Sequence, residues 1–158
     1  MSAAEDRFEE WEERLEERLR QLGTDTPYCH EPGCDETCPF ALTGVEPDIY
    51  CYEHDLLRRG RPWVEAHHPL GQHNDPQTVD APANDHRLLS DLQLPWPRET
   101  LRNPDGSPLL RAAAAIRGWL DVLWLIMIRS VGWVPEFLEH LDAWLRERIG
   151  PRWWDDFR

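Results

Sequence analysis

Apolar residues recur at every third or fourth position near the start of the chain, separated by glutamates and arginines. The members of this stripe are Phe8, Trp11, Leu15, Leu19 and Leu22. Such a period predicts an amphipathic helix over residues 4–22, and Gly23 is a natural residue to end it. We expect the stripe to pack against the C-terminal helices of the same chain, with a partner protein or second subunit as the alternative.

The C-terminal third shows the same helical period with more apolar residues. It predicts one strongly apolar helix over residues 108–131 and a second that begins after Gly132 and carries Pro135 in its first turn. The uninterrupted apolar run between Asp121 and Arg129 is seven residues long. This is far short of the roughly 20 residues needed to cross a bilayer, so we interpret the first helix as a buried core helix and not as a membrane span.

The middle of the chain changes from helical to extended patterns. Residues 63–68 and 77–81 carry side chains typical of strands, and the intervening loop 69–76 is rich in proline, glycine and asparagine. Asn84 or Asp85 then suits the N-cap of a helix whose leucines face inward. This order predicts a β-hairpin followed directly by a helix.

Composition and charge narrow the range of functions. With 41% hydrophobic residues and nine tryptophans in 158 residues, the chain can build a core, and all 17 basic residues are arginine. The 30 acidic residues give a net charge of −13, which argues against tight, nonspecific binding of nucleic acid. The N-terminal segment is charged and lacks the apolar core of a signal peptide, so we expect a cytoplasmic protein.

All four cysteines lie close together in the sequence, with histidines beside them. In a reducing compartment such a cluster indicates metal ligands before disulfide bonds; two disulfides in a secreted chain are the alternative. Cys29, Cys34, Cys51 and His54 have the spacing of a tetrahedral structural zinc site. Cys38 is the spare cysteine, and it could replace Cys34 or His54 in the set.

These residues resemble the small treble-clef-like zinc fingers, which have a Cys-x-x-Pro-Gly-Cys turn and a closing Cys-x-x-His. Here Pro32 and Gly33 precede the second cysteine of the turn. Four protein ligands leave no open position on the ion, so the site is expected to be structural. It would hold the segment that leads into the central hairpin.

The histidines of that hairpin and of the helix after it suggest a second metal site. The adjacent pair His67 and His68, a loop, a β-branched strand and the sequence Asn84-Asp85-His86 resemble the ββα-metal core of HNH endonucleases. The resemblance implies that His68 is the general base and that His67 and His86 are metal ligands. The central asparagine of the family falls near Thr78, which departs from the pattern, and Asn84 is its candidate substitute.

The residue types fit this chemistry independently of the resemblance. Phosphodiester hydrolysis needs a base that titrates near neutral pH and a cation beside the phosphate. Imidazole ligands favour zinc, nickel, cobalt or manganese over magnesium as the second divalent metal. Glu65 or Asp91 could add an oxygen ligand, and Arg87 could hold a phosphate. A purely structural metal, or a polar turn without metal, is the alternative.

We therefore expect an α+β fold, mostly α, in which a zinc-anchored ββα-metal core packs with an N-terminal helix and a C-terminal helical hairpin. The expected segments are an N-terminal helix (1–23), a zinc-binding segment (24–60), the HNH-like core (61–95), and a connector with the C-terminal helices (96–158). The leading function is a metal-dependent endonuclease, a hydrolase acting on DNA. The alternative is a non-catalytic zinc-binding module for nucleic acid or protein, and the tryptophan-rich helices suggest a homodimer or a protein partner.

Overall fold

The computed structural model describes residues 3–157 of the chain, and the side chains of residues 9–155. Phe8 of the predicted apolar stripe therefore lies outside the described side chains. The chain forms two compact units, Met1–Val122 and Leu123–Arg158.

The first unit contains two short hairpins and most of the helices. Its elements in chain order are α1 (Ala3–Leu22), a 3-10 turn (Pro39–Ala41), β1 (Leu42–Val45), β2 (Asp48–Cys51), α2 (Tyr52–Arg58), β3 (Val64–His67), β4 (Val79–Pro82), α3 (Ala83–Gln93), α4 (Arg98–Arg102) and the greater part of α5 (Pro108–Val131). The second unit contains the end of α5, α6 (Val134–Arg148) and a 3-10 turn (Trp153–Phe157). The predicted α+β fold with mostly helical content is confirmed.

The first hairpin and the end of α1 form a small apolar core. Strands β1 and β2 pair antiparallel, with Leu42 opposite Cys51. The buried members of this core are Leu22, Cys29, Leu42, Ile49 and Cys51. Helix α1 ends at Leu22, and the next residue, Gly23, has a φ of 78°, a left-handed conformation that favours glycine. The main contacts of α1 within the first unit are with the 3-10 turn and β1, and its packing against the C-terminal helices stays a prediction.

The second hairpin leads directly into α3, as the sequence predicts. Strands β3 and β4 pair antiparallel, with His67 opposite Val79. Helix α3 begins at Ala83 after Pro82, so neither Asn84 nor Asp85 is the N-cap that we predicted. The Ala83 amide donates instead to the carbonyl of Trp63, at 2.8 Å, and thereby ties the start of the helix to the start of β3.

Helix α5 approaches the loop that follows the second hairpin. The position of Gly118 is buried, and a Cβ atom there would clash with the backbone oxygen of Pro69. Trp96 is buried beside it and donates its indole hydrogen to Asp121, at 3.2 Å. The close backbone approach at Gly118 thus fixes the loop that carries His68 and Pro69 against this part of α5.

The prediction of a buried core helix over residues 108–131 is wrong, although the bounds of the helix agree. Ala114 and Leu125 are buried, whereas most large apolar side chains of α5 are exposed, including Leu120 and Trp124. Helix α6 contains no buried residue, and its large apolar side chains include the exposed Phe137 and Trp144. Among the described residues, no helix is long and apolar enough to cross a membrane.

Gly44 of β1 provides a test of the first hairpin. Its φ is 99°, and a Cβ atom would clash with the backbone oxygen of Asp48 in the paired strand. Gly60 also has a positive φ, of 67°, but faces open space. We expect Gly44→Ala to lower the free energy of unfolding by at least about 2 kcal/mol, whereas Gly60→Ala pays only the left-handed strain of about 1 kcal/mol. Denaturant titration of both variants measures this, and equal losses would contradict the hairpin geometry.

Candidate metal centre and histidine site

Three segments of the first unit bring four metal-binding side chains together. Cys29 and Cys34 flank a tight turn in which the Cys34 amide donates to the Glu31 carbonyl, at 3.1 Å. Cys51 is the last residue of β2, and His54 lies one turn further on in α2. The ligand atoms of these four residues all lie within 4.8 Å of one another. They are the set that the sequence spacing predicts for zinc.

The distances within this cluster suit one tetrahedral ion. Nδ1 of His54 lies 3.0 Å from Sγ of Cys51 and 3.6 Å from Sγ of Cys29. A tetrahedral zinc ion with sulfur at about 2.3 Å and nitrogen at about 2.0 Å separates the nitrogen from each sulfur by about 3.5 Å, which lies between the two distances observed. The Cys51 amide also donates to Sγ of Cys29, at 3.2 Å, a hydrogen bond that stabilises a thiolate. The donor set and its geometry therefore fit zinc.

Burial makes these thiols dependent on a cation. Desolvation raises the pKa of Cys34 to about 12 and raises the pKa of Cys51, and the neighbouring cysteines raise both further. Thiolates crowded in a buried site are unfavourable unless a positive charge lies among them, and zinc binds the deprotonated thiol. A divalent ion that replaced the thiol protons would therefore stabilise the cluster.

Cys38 lies outside the cluster. It precedes the 3-10 turn, and its amide hydrogen is donated to Oε1 of Glu36, at 3.0 Å. The alternative ligand sets that include Cys38 are therefore not the ones that the structure assembles. All four cysteines are free of disulfide bonds in the described residues.

The second hairpin and α3 bring two of the predicted histidines together. His67 is the last residue of β3 and is 2% exposed, and His86 lies in the first turn of α3. Their ring centroids are 5.3 Å apart, with the rings at 72°. This proximity follows from the ββα order, because the helix begins immediately after the strand that pairs with β3.

His68 lies just beyond the end of β3, so it is free of the strand alternation that would turn it away from His67. Its side chain is half-buried, and its Nδ1 atom is buried without a hydrogen-bonding partner among the described residues. Gln93 donates to the backbone oxygens of His68, at 2.9 Å, and Pro69, at 3.2 Å. The end of α3 thereby holds the turn that carries His68.

Glu65 is the acidic residue of this site. It lies two residues before His67 in β3, and so faces the same side of the hairpin. One carboxylate oxygen lies 2.8 Å from Nδ1 of His86, and Arg87 pairs with the same oxygen at 3.0 Å. Of the two oxygen ligands that the sequence suggested, Glu65 adjoins the histidines, whereas Asp91 pairs with Arg14 of α1 at 3.3 Å.

The two residues predicted to orient the base lie elsewhere. Thr78 is exposed and precedes β4. Asn84 is buried, but its side-chain oxygen accepts from the Glu53 amide, at 3.2 Å, and its nitrogen donates to Glu36, at 3.4 Å. Asn84 therefore links the zinc segment to α3. Gln93, whose amide nitrogen lies 3.4 Å from Nε2 of His67, occupies the neighbouring polar position that sequence analysis missed.

Burial decides the charge of His67. Desolvation, with smaller contributions from His86 and His68, lowers the pKa of His67 to about 4. The ring is therefore neutral at physiological pH, which is the form that can ligate a metal. Among the described residues, however, Cys29, Cys34, Cys51 and His54 form the one group of three or more metal-binding side chains close enough to share an ion.

The chain matches no protein-family model, no curated protein and no solved structure. The assignment of a zinc-binding group thus depends on the geometry of its four side chains, and the HNH resemblance depends on the residues of the second hairpin and α3.

The zinc cluster predicts different outcomes for two cysteine substitutions. Cys51→Ser removes a ligand and should release the ion and unfold the first hairpin, because structural zinc contributes about 10 kcal/mol or more to folding. Cys38→Ser makes the same chemical change outside the cluster and should retain one zinc per chain. Elemental analysis with circular dichroism measures both properties. Loss of zinc in the Cys38 variant, or its retention in the Cys51 variant, would contradict the ligand set.

The depressed pKa of His67 predicts a pH dependence. The pKa is about 4 in the folded chain against 6.5 for the free side chain, so the unfolded chain binds the proton more readily between those values. Above pH 6.5 the free energy of unfolding is unaffected by His67. As the pH falls towards 4, the unfolded chain binds a proton at this ring that the folded chain does not, and the free energy of unfolding falls by about 3 kcal/mol at most. An NMR titration of the His67 ring measures the pKa directly, and a value near 6.5 would contradict the burial. His67→Gln should remove this part of the acid sensitivity.

Proposed function

We propose that the protein is an HNH-like, metal-dependent endonuclease that hydrolyses phosphodiester bonds in DNA. The observation that carries the proposal is the meeting of His67 and His86 at the junction of a hairpin and a helix, in the strand–strand–helix order of a ββα-metal core. The zinc cluster supports this core from the preceding segment through Asn84, which bonds both Glu53 and Glu36.

In this proposal each side chain has a separate role. His67 and His86 would hold a divalent cation, with Glu65 as the oxygen ligand, since its carboxylate already lies 2.8 Å from His86. Zinc, manganese or nickel suits imidazole ligands better than magnesium does. The cation would supply positive charge beside the scissile phosphate.

His68 would act as the general base. A histidine titrates near neutral pH, so it can remove a proton from the attacking water. The Nδ1 atom of His68 is buried without a hydrogen-bonding partner among the described residues, so Nε2 would be the atom that takes this proton, and the backbone oxygen of His68 is held by Gln93. Arg87, whose guanidinium already lies beside Glu65, would bind a phosphate oxygen.

A second candidate function is a non-catalytic zinc-binding module with the same ββα order. Two observations favour it. Glu65 pairs with both His86 and Arg87, which occupies the groups that a metal and a phosphate would need. The net charge of −13 also opposes the approach of a polyanion and would confine DNA contact to a small part of the surface.

Nicking of supercoiled plasmid in manganese or nickel tests the nuclease proposal. We expect His68→Ala to lower the nicking rate by about 100-fold or more, because the base is lost while the zinc cluster is untouched. His140→Ala is the matched control, since His140 is an exposed residue of α6 that bonds the Glu136 carbonyl at 2.7 Å. Zinc content and helical circular dichroism should be unchanged in both variants.

Two results would overturn the nuclease proposal. One is the absence of nicking across divalent metals by the zinc-loaded protein. The other is equal activity of the His68 variant and the His140 control. DNA binding without cleavage, measured by fluorescence anisotropy, would then favour the non-catalytic module.

A further inference from the structure

The second unit, residues 123–158, exposes an unusually large number of apolar side chains to water. We call it the C-terminal arm. Helix α6 contains no buried residue. The large apolar side chains of the arm that are at least 36% exposed are Leu123, Trp124, Ile126, Met127, Ile128, Val131, Trp133, Phe137, Leu138, Trp144, Ile149 and Trp154. Contiguous apolar patches of this kind mark interaction surfaces.

The arm carries a repeat that is typical of helices packed on helices. At alternating spacings of four and three, its residues are Leu123, Met127, Ser130, Val134, Phe137, Leu141 and Trp144. We call this row the seam; every member except Ser130 is apolar. Spacings of this kind keep one face of a helix towards a partner helix.

The row of seam residues spans the break between the two helices, at residues 132 and 133. Gly132 donates its amide hydrogen to Ile128, and Phe137 donates to Trp133, both four residues back and both at 3.0 Å. The backbone therefore keeps helical hydrogen bonds on either side of the break. The charged residues of the arm between its start and Arg146 lie off the seam; they are Arg129, Glu136, Glu139, Asp142 and Arg146.

The size of the exposed surface is sufficient for a stable complex. Twelve large side chains with about half of their area exposed present on the order of 1,000 Å² of apolar surface, compared with the roughly 800 Å² that each partner contributes to a standard interface. A contact along the seam would bury its four members of this set, which are Leu123, Met127, Phe137 and Trp144. It would also cover exposed side chains at the edges of the seam, such as Trp124 and Leu138.

The distribution of charge favours a second copy of the chain over a membrane. The arm has five arginines and six acidic residues, so it is nearly neutral, whereas the remaining residues carry almost the whole net charge of −13. Two copies can therefore approach through their arms with little repulsion. Helices that lie on membranes carry an excess of basic residues on their polar face, and the arm has none.

We propose that the protein forms a homodimer in which the seams of two C-terminal arms pack against each other. This surface is separate from the zinc cluster and from the histidine site, and the proposal does not depend on the nuclease function. A symmetric contact of this kind uses the same face on both copies.

Sedimentation equilibrium of the full-length, zinc-loaded protein tests the proposal, with two adjacent substitutions as a matched pair. Met127→Glu places a charge in the seam, and Ile128→Glu places the same charge one residue outside it; the two side chains are 60% and 47% exposed, so neither should unfold the chain. We expect the wild type to reach twice the 18.6 kDa chain mass at micromolar concentration. Met127→Glu should raise the dimer dissociation constant by about tenfold or more, and Ile128→Glu by much less.

Three results would overturn the homodimer. The first is a monomer at every concentration up to high micromolar. The second is equal weakening by the two substitutions, which would exclude the seam as the contact. The third is a monomer that floats with phosphatidylcholine or phosphatidylglycerol vesicles and loses this binding in the Met127 variant, which would make the seam a membrane-binding surface. Unchanged zinc content in both variants separates these results from misfolding.

Discussion

The structure depends on one coordination constraint, which is the convergence of Cys29, Cys34, Cys51 and His54 on a single point. These residues come from a turn, the end of a strand and a helix that follows it, and two of them, Cys29 and Cys51, belong to the small apolar core of the first hairpin. Among the residues whose side chains the structure describes, the largest fully buried ones are Leu22, Leu42, Ile49 and Cys51, a small core for a chain of this length. A bound ion would supply the stabilisation that so few buried side chains provide only in part.

One buried side chain, Asn84, connects the segment that carries the cluster to the helix after the second hairpin. Asn84 bonds the backbone amide of Glu53, one residue before the ligand His54, and also the carboxylate of Glu36. Since Asn84 is the second residue of α3 and lies two residues before His86, the zinc segment sets where that helix begins. The pairing of β3 with β4 then sets where His67 lies relative to it. The histidine site is thus positioned by both hairpins, although its own side chains come from the second.

Sequence analysis predicted the features that follow from a regular period of apolar residues or from the spacing of cysteines, and missed those that depend on tertiary contacts. The period of apolar residues predicted α1, α5 and α6, and the cysteine spacing predicted the four members of the metal-binding cluster. The hairpin Leu42–Cys51 was missed because each strand has only four residues and β1 contains Gly44, a weak strand residue. The burial of α5 was wrong because an apolar period reports a surface that favours a partner, and does not say whether that partner belongs to the same chain. Asn84 and Gln93 have no sequence signal that distinguishes their contacts.

X-ray absorption spectroscopy at the zinc edge of the protein as purified tests the central constraint most directly. We predict one zinc per chain with three sulfur ligands at about 2.3 Å and one imidazole nitrogen at about 2.0 Å. A shell of nitrogen and oxygen ligands alone, or a protein that folds fully without the metal, would contradict the view that the Cys29, Cys34, Cys51 and His54 cluster holds the fold together.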